Sequence, residues 1–197
     1  MNFNQRKPNG LPGSRKSMHG FTMIEIMIAI VIMALGAVAV LYYQSRTQAT
    51  QTANNIVTDV TMLVGKTRAA FRPTNSFALV SPTTISQYVP SPMQVSSGNL
   101  IDELGNTGAI NGAASSFAIV VGGTTNPLTA EQCSIIATGL ANSAVAINVG
   151  ASGAATAASG AVSGGSAYKA AGGVPNPANL QTGCAATSPV VAMQFSS

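Results

Sequence analysis

Charge is what this 197-residue chain has least of. Asp, Glu, Lys and Arg make up only 7% of it, against roughly 25% in an average soluble domain. Five acids and nine bases cannot build much of a phosphate-tracking surface, so nucleic-acid binding by the chain is not expected. There is no Trp and one His, His19. With so few titratable groups, acid–base and metal chemistry have little to work with, and no cofactor or metal is expected. No G-x-S-x-G elbow, phosphate loop, EF-hand loop or zinc helix is present, and with no His after residue 19 a Ser–His hydrolase cannot be assembled. An enzyme is therefore not expected. The chain is also too apolar to be disordered, with 46% hydrophobic residues.

The charge that exists is unevenly placed. The net +4 sits in the first twenty residues, as Arg6, Lys7, Arg15 and Lys16. Beyond them five bases (Arg46, Lys66, Arg68, Arg72, Lys169) balance five acids (Glu25, Asp59, Asp102, Glu103, Glu131). If the first segment is removed, the remainder is formally neutral, and the pI near 9.4 describes a precursor.

An apolar run follows the basic segment. Ile26–Tyr43 contains no charge, no Pro and one Gly, Gly36. As a helix it spans roughly 27 Å, close to the thickness of a bilayer core. With four Lys/Arg upstream and only Arg46 shortly after, its amino end stays cytoplasmic and the rest is delivered outside. Hydropathy alone leaves three readings open: a secretory signal cut after Ala37-Val38-Ala39, a permanent anchor, or a buried core helix. Glu25, just inside the run, separates them. An acid at the centre of a membrane helix costs about 2.5–3.5 kcal/mol, less near its end, and marks a functional site that needs a partner. Cleavage after Gly20 would supply a cation, a new α-amine at Phe21.

Gly20-Phe21-Thr22-Met23-Ile24-Glu25 followed by an unbroken apolar helix resembles the prepilin peptidase site of type IV pilins. The resemblance implies cleavage between Gly20 and Phe21, N-methylation of Phe21, and a role for Glu25, with Thr22 beside it, in assembly. There the acid pairs with the amino terminus of a neighbouring subunit. The twenty-residue leader and the stretch Leu41-Tyr42-Tyr43-Gln44-Ser45 resemble the type IVb group, of the bundle-forming and PilS-like kind. A first mature Phe is more typical of type IVa. By resemblance the chain is the major subunit of a pilus serving adhesion, aggregation or conjugative mating. Its partners are then copies of itself in a helical filament, the prepilin peptidase/methylase, the assembly machinery and the inner membrane. The precursor sits in that membrane and the assembled pilus outside the cell. A minor pilin, a secretion pseudopilin and a non-assembling, membrane-anchored periplasmic binding protein are the alternatives.

The remainder of the chain fits an α+β head on a helical spine. Ala53, Ile56, Val57, Val60, Leu63, Val64 and Phe71 recur at three- and four-residue steps, which predicts that the helix continues with one face on a core and stops before Pro73. Lys66, Arg68 and Arg72 crowd its last turns, where cations favour the helix dipole; the alternative is a basic contact patch for a neighbouring subunit. The expected divisions are a leader at 1–20, a membrane or filament-core half-helix at 21–45, an amphipathic half at 46–72 and a head at 73–197. Within the head, 74–97 reads as loop with short extended pieces and 100–108 as a short element closed by turns. Strands are expected at 116–121, 144–149 and 189–195, and a helix at 129–140 capped by Thr129. The Ala/Gly/Ser-rich stretch 151–173 reads as a surface loop or irregular excursion. The resemblance to type IV pilins implies that these strands form an antiparallel sheet, as in the pilin fold. Cys133 and Cys184, an even pair on a chain facing an oxidising compartment, are expected to bond. Closing that loop is worth about 4 kcal/mol on the chain-entropy model. The resemblance implies the same staple.

Overall fold

The computed structural model describes residues 22–196. They form two compact units, one ending at Tyr42 and one beginning at Tyr43. Helix α1, Met23–Phe71, contributes residues to both. Its first part has no Pro, one Gly and long apolar side chains that tolerate helix well. All of it is exposed. Among the described residues one helix is long and apolar enough to cross a membrane, within Met23–Thr74.

In the second unit α1 buries one stripe, made by Ala53, Ile56, Val60, Leu63 and Val64. The three- and four-residue spacing puts these side chains on a single face. The helix ends as expected at Phe71, passing into a 3₁₀ turn over Arg72–Thr74. The Thr74 hydroxyl donates to the Phe71 carbonyl at 2.8 Å, and the Asn75 amide to that of Arg72 at 3.2 Å.

The head carries a seven-stranded antiparallel sheet in the order β1-β2-β3-β4-β9-β5-β8. The strands are β1 Gln94–Ser96, β2 Asn99–Ile101, β3 Thr107–Gly112, β4 Ser116–Gly122, β5 Ala146–Ala151, β8 Ser166–Lys169 and β9 Pro189–Ser196. The last strand of the chain is thus in the middle, paired with β4 on one side and β5 on the other. Side chains alternate between the two faces. Phe117, Ile119, Val121, Val191, Met193 and Phe195 join the α1 stripe in one core. Phe71, Phe77, Phe117 and Phe195 form a chain of rings with centroids 6.5, 5.0 and 5.5 Å apart. Helices α2, Ala130–Gly139, and α3, Pro177–Cys184, add Ile136, Ala137 and Leu180 to that core.

The opposite face of the sheet is small-sided: Ala118, Val120, Val190 and Ala192. The stretch expected to be a surface loop covers it. Thr156–Ala158 (β6) and Ala161–Ser163 (β7) pair as a separate hairpin, and Ala155 and Ala157 pack on the sheet. Gly160, at the hairpin's turn with φ +73°, lies so close that a Cβ there would meet the Ser116 carbonyl at 2.6 Å. The expectation of a loop fails because small residues suit a close approach to a sheet, which composition alone does not reveal.

The strands and the helix expected within the head are present, as β4, β5, β9 and α2. Thr129 caps α2 in a capping box with Gln132. The segment 100–108 divides into β2 and the start of β3. Helix α3 was not anticipated, although Asn176-Pro177 gives the signal: the Asn176 side chain accepts from the amides of Ala178 and Asn179, and Pro177 opens the helix.

Candidate functional site

The acid that stands out in the sequence lies at the very start of α1. Thr22 precedes the first helical residue, and its carbonyl accepts from the amides of Glu25 (3.0 Å) and Ile26 (3.2 Å). Glu25 turns its side chain back. Its Oε2 accepts from the Thr22 backbone amide and from the Thr22 hydroxyl, each at 3.3 Å. This is one arm of a capping box, with the hydroxyl donating to the carboxylate rather than accepting from the helix. The arrangement satisfies a free amide and places a negative charge at the positive end of the helix dipole.

Both residues are exposed, and the helix beyond them shows apolar side chains to its surroundings: Met33 is 74% exposed and Leu35 68%. A surface of this kind requires lipid or other apolar helices around it. Thr22 and Glu25 are therefore brought together, while Gly20 and Phe21 lie outside the described residues.

Cys133 and Cys184 are bonded, with 5.6 Å between their Cα atoms. The bond ties α2 to α3, and both cysteines are buried.

The head uses its few charges singly. Lys169 donates from Nζ to the carbonyls of Ala141 (2.6 Å) and Ala144 (2.7 Å), just past the end of α2. Asp102 is buried and fully engaged. Its Oδ1 accepts from the amides of Leu104 (3.0 Å) and Asn106 (2.8 Å), and its Oδ2 from Asn106 Nδ2 (3.3 Å) and the Gly122 amide (3.0 Å). Arg68 lies in the last turn of α1, where its charge is expected to favour the helix dipole. Its Nε also donates to the carbonyl of Ser196 at 3.0 Å. Arg68 and Arg72 line a cavity of about 540 Å³ with Phe71 and Phe77.

One pair of charges is not satisfied. Asp59, on the buried face of α1, and Glu103, in the turn between β2 and β3, each hold a buried oxygen without a hydrogen-bond partner. Burial raises the Asp59 carboxyl above the usual carboxylate range, and the nearby Glu103 charge raises it further. Sequence reasoning missed this meeting, since nothing local links residues 44 positions apart. Among the described residues no three of His, Cys, Asp and Glu converge.

Residues 15–41 match the family described as the prokaryotic N-terminal methylation motif. The resemblance to type IV pilins is borne out over these residues, which span Gly20 to Glu25 and the exposed apolar part of α1. No curated protein matches the chain. Among solved structures, the chain is similar to TcpA, a type IV pilin from Vibrio cholerae El Tor biotype. The identity is 16% and the TM-score 0.49, over 74% of this chain and 99% of that one.

Proposed function

We propose that this chain is the major structural subunit of a type IVb-like pilus. The observation that carries the reading is an acid held at the head of an exposed apolar helix, inside a methylation motif. The precursor is anchored in the inner membrane by residues 21–45, with residues 46–197 outside the cytoplasm. A prepilin peptidase cuts between Gly20 and Phe21, which removes every charge of the basic leader and leaves a neutral mature chain. The new amine at Phe21 is methylated and keeps its positive charge.

In the membrane Glu25 rests on the donors of Thr22, which lowers the penalty of an acid in an apolar medium. On assembly the amine of a neighbouring subunit replaces or joins those donors. Breaking a buried pair of this kind by removing one partner costs about 3–5 kcal/mol, so the pairing fixes axial register while the apolar helices supply bulk cohesion. Thr22 orients the carboxylate; Glu25 makes the contact. The subunit's role is structural, and the filament serves adhesion, aggregation or conjugative mating. Its partners are further copies, the prepilin peptidase/methylase and the assembly machinery of the inner membrane.

The test is Glu25→Ala. Surface filaments should vanish, with the cleaved subunit retained in the membrane fraction. Normal filaments from this variant would sink the pairing. Mass analysis of the mature amino terminus should find methylated Phe21; a start near Val40 would instead mean an ordinary secretory signal.

A further inference from the structure

Five carboxylates remain after the leader, and two of them, Asp59 and Glu103, lie near enough for the charge of Glu103 to raise the Asp59 carboxyl. Asp59 is 5% exposed, and its Oδ2 is buried and unpartnered. The Oε2 of Glu103 is in the same condition. Buried polar atoms without partners are few in native structures and call for a cause. Here both belong to anions that repel each other. Asp102, next along the turn, does not share the burden, since backbone amides and Asn106 saturate it.

A third oxygen-bearing side chain completes the group. Asn55 lies one helical turn before Asp59, hence on the same side of α1. Its Nδ2 donates to Glu103 Oε1 at 3.2 Å. Rotating that amide by half a turn would present its carbonyl oxygen in place of the NH₂ group. Asn55 is exposed and Glu103 half-buried, so the group is reached from solvent and water can fill further positions.

We propose that Asn55, Asp59 and Glu103 form an oxygen-lined site for one divalent cation of the calcium class, which clamps α1 to the turn between β2 and β3. Two carboxylates and an amide carbonyl are hard donors, and among the described residues no His or Cys joins the two carboxylates to favour zinc. The cation neutralises both charges at once and gives each orphaned oxygen a partner. Calcium suits the group better than magnesium, because it accepts six to eight ligands in irregular geometry while magnesium demands a near-ideal octahedron. With only two charged ligands the affinity falls in the weak range of extracellular modules, on the order of 0.1–1 mM.

The experiment titrates calcium chloride against the purified full chain in detergent micelles, reading melting temperature and calorimetric binding. It needs no filament, so its outcome is independent of the pilus reading. One ion per chain should bind, with a saturable rise in melting temperature that chelator reverses and magnesium reproduces only weakly. Asp59→Asn and Glu103→Gln should each weaken binding at least tenfold, while Glu131→Gln should leave it unchanged. Asp59→Asn removes a buried charge and should fold without the ion. The proposal is overturned by a wild-type chain with no saturable response, or by both site variants retaining it. A stability that falls with rising pH and ignores calcium would also overturn it, assigning the pair to a shared proton instead.

Discussion

The helix before Tyr42 and the head after it follow opposite rules of burial. In the first, Ile24, Met33 and Leu35 are two-thirds exposed or more; in the second, Asp59 and Asp102 are almost wholly buried. Each exposed aliphatic side chain forgoes about 1.5–3 kcal/mol of burial, which the isolated chain has no means to recover. The head recovers its own, through the aromatic chain from Phe71 to Phe195 and the covered outer face of the sheet. The two regions are thus stabilised by different surroundings. A substitution in one should therefore be silent in the assay that reads the other.

The sharpest check sets Phe117→Ala beside Met33→Ala. Phe117 is completely buried, and its truncation should lower the head's stability by about 3–5 kcal/mol in chemical denaturation. Met33→Ala should change the same midpoint by less than about 0.5 kcal/mol, yet reduce filament yield. Equal effects in both assays would break the division. Next in size, replacing Cys133 and Cys184 together by Ser should cost the head about 4 kcal/mol, and leave membrane retention of the subunit intact in a fractionation assay. The smallest effect belongs to Asp59→Asn in calcium-free buffer. The folded Asp59 carboxyl holds its proton to higher pH than the unfolded one, near 3.9, so the folded state binds more protons in that window. The wild-type head should lose stability as pH rises from about 4 through the raised value, and the variant should show a flatter profile with a modest gain at neutral pH.

Much of the first region was legible because its signals are local. Eighteen uncharged residues, an acid at their edge and a Gly five positions before it need no tertiary contact to be recognised. Thr22's reach to Glu25 was half legible: Thr-x-x-Glu is the spacing of a capping box, and the structure forms one of its two arms. In the head, β4, β9 and α2 were readable from β-branched runs and a capped start, and the disulfide from there being two cysteines. The rest depended on surfaces that exist only after folding. The value of Ala155 and Ala157 lies in fitting the small-sided face made by Ala118 and Ala192. The bond from Arg68 to the Ser196 carbonyl joins residues 128 positions apart and has no local signal. Asp59 and Glu103 carry no mark of each other until α1 meets the turn after β2.

The place of β9 between β4 and β5 has a consequence for folding. Until residues 189–196 are made and available, β4 and β5 each lack the neighbour they pair with and present an open edge. The sheet therefore closes only when this late segment slots in, however early its other strands have formed.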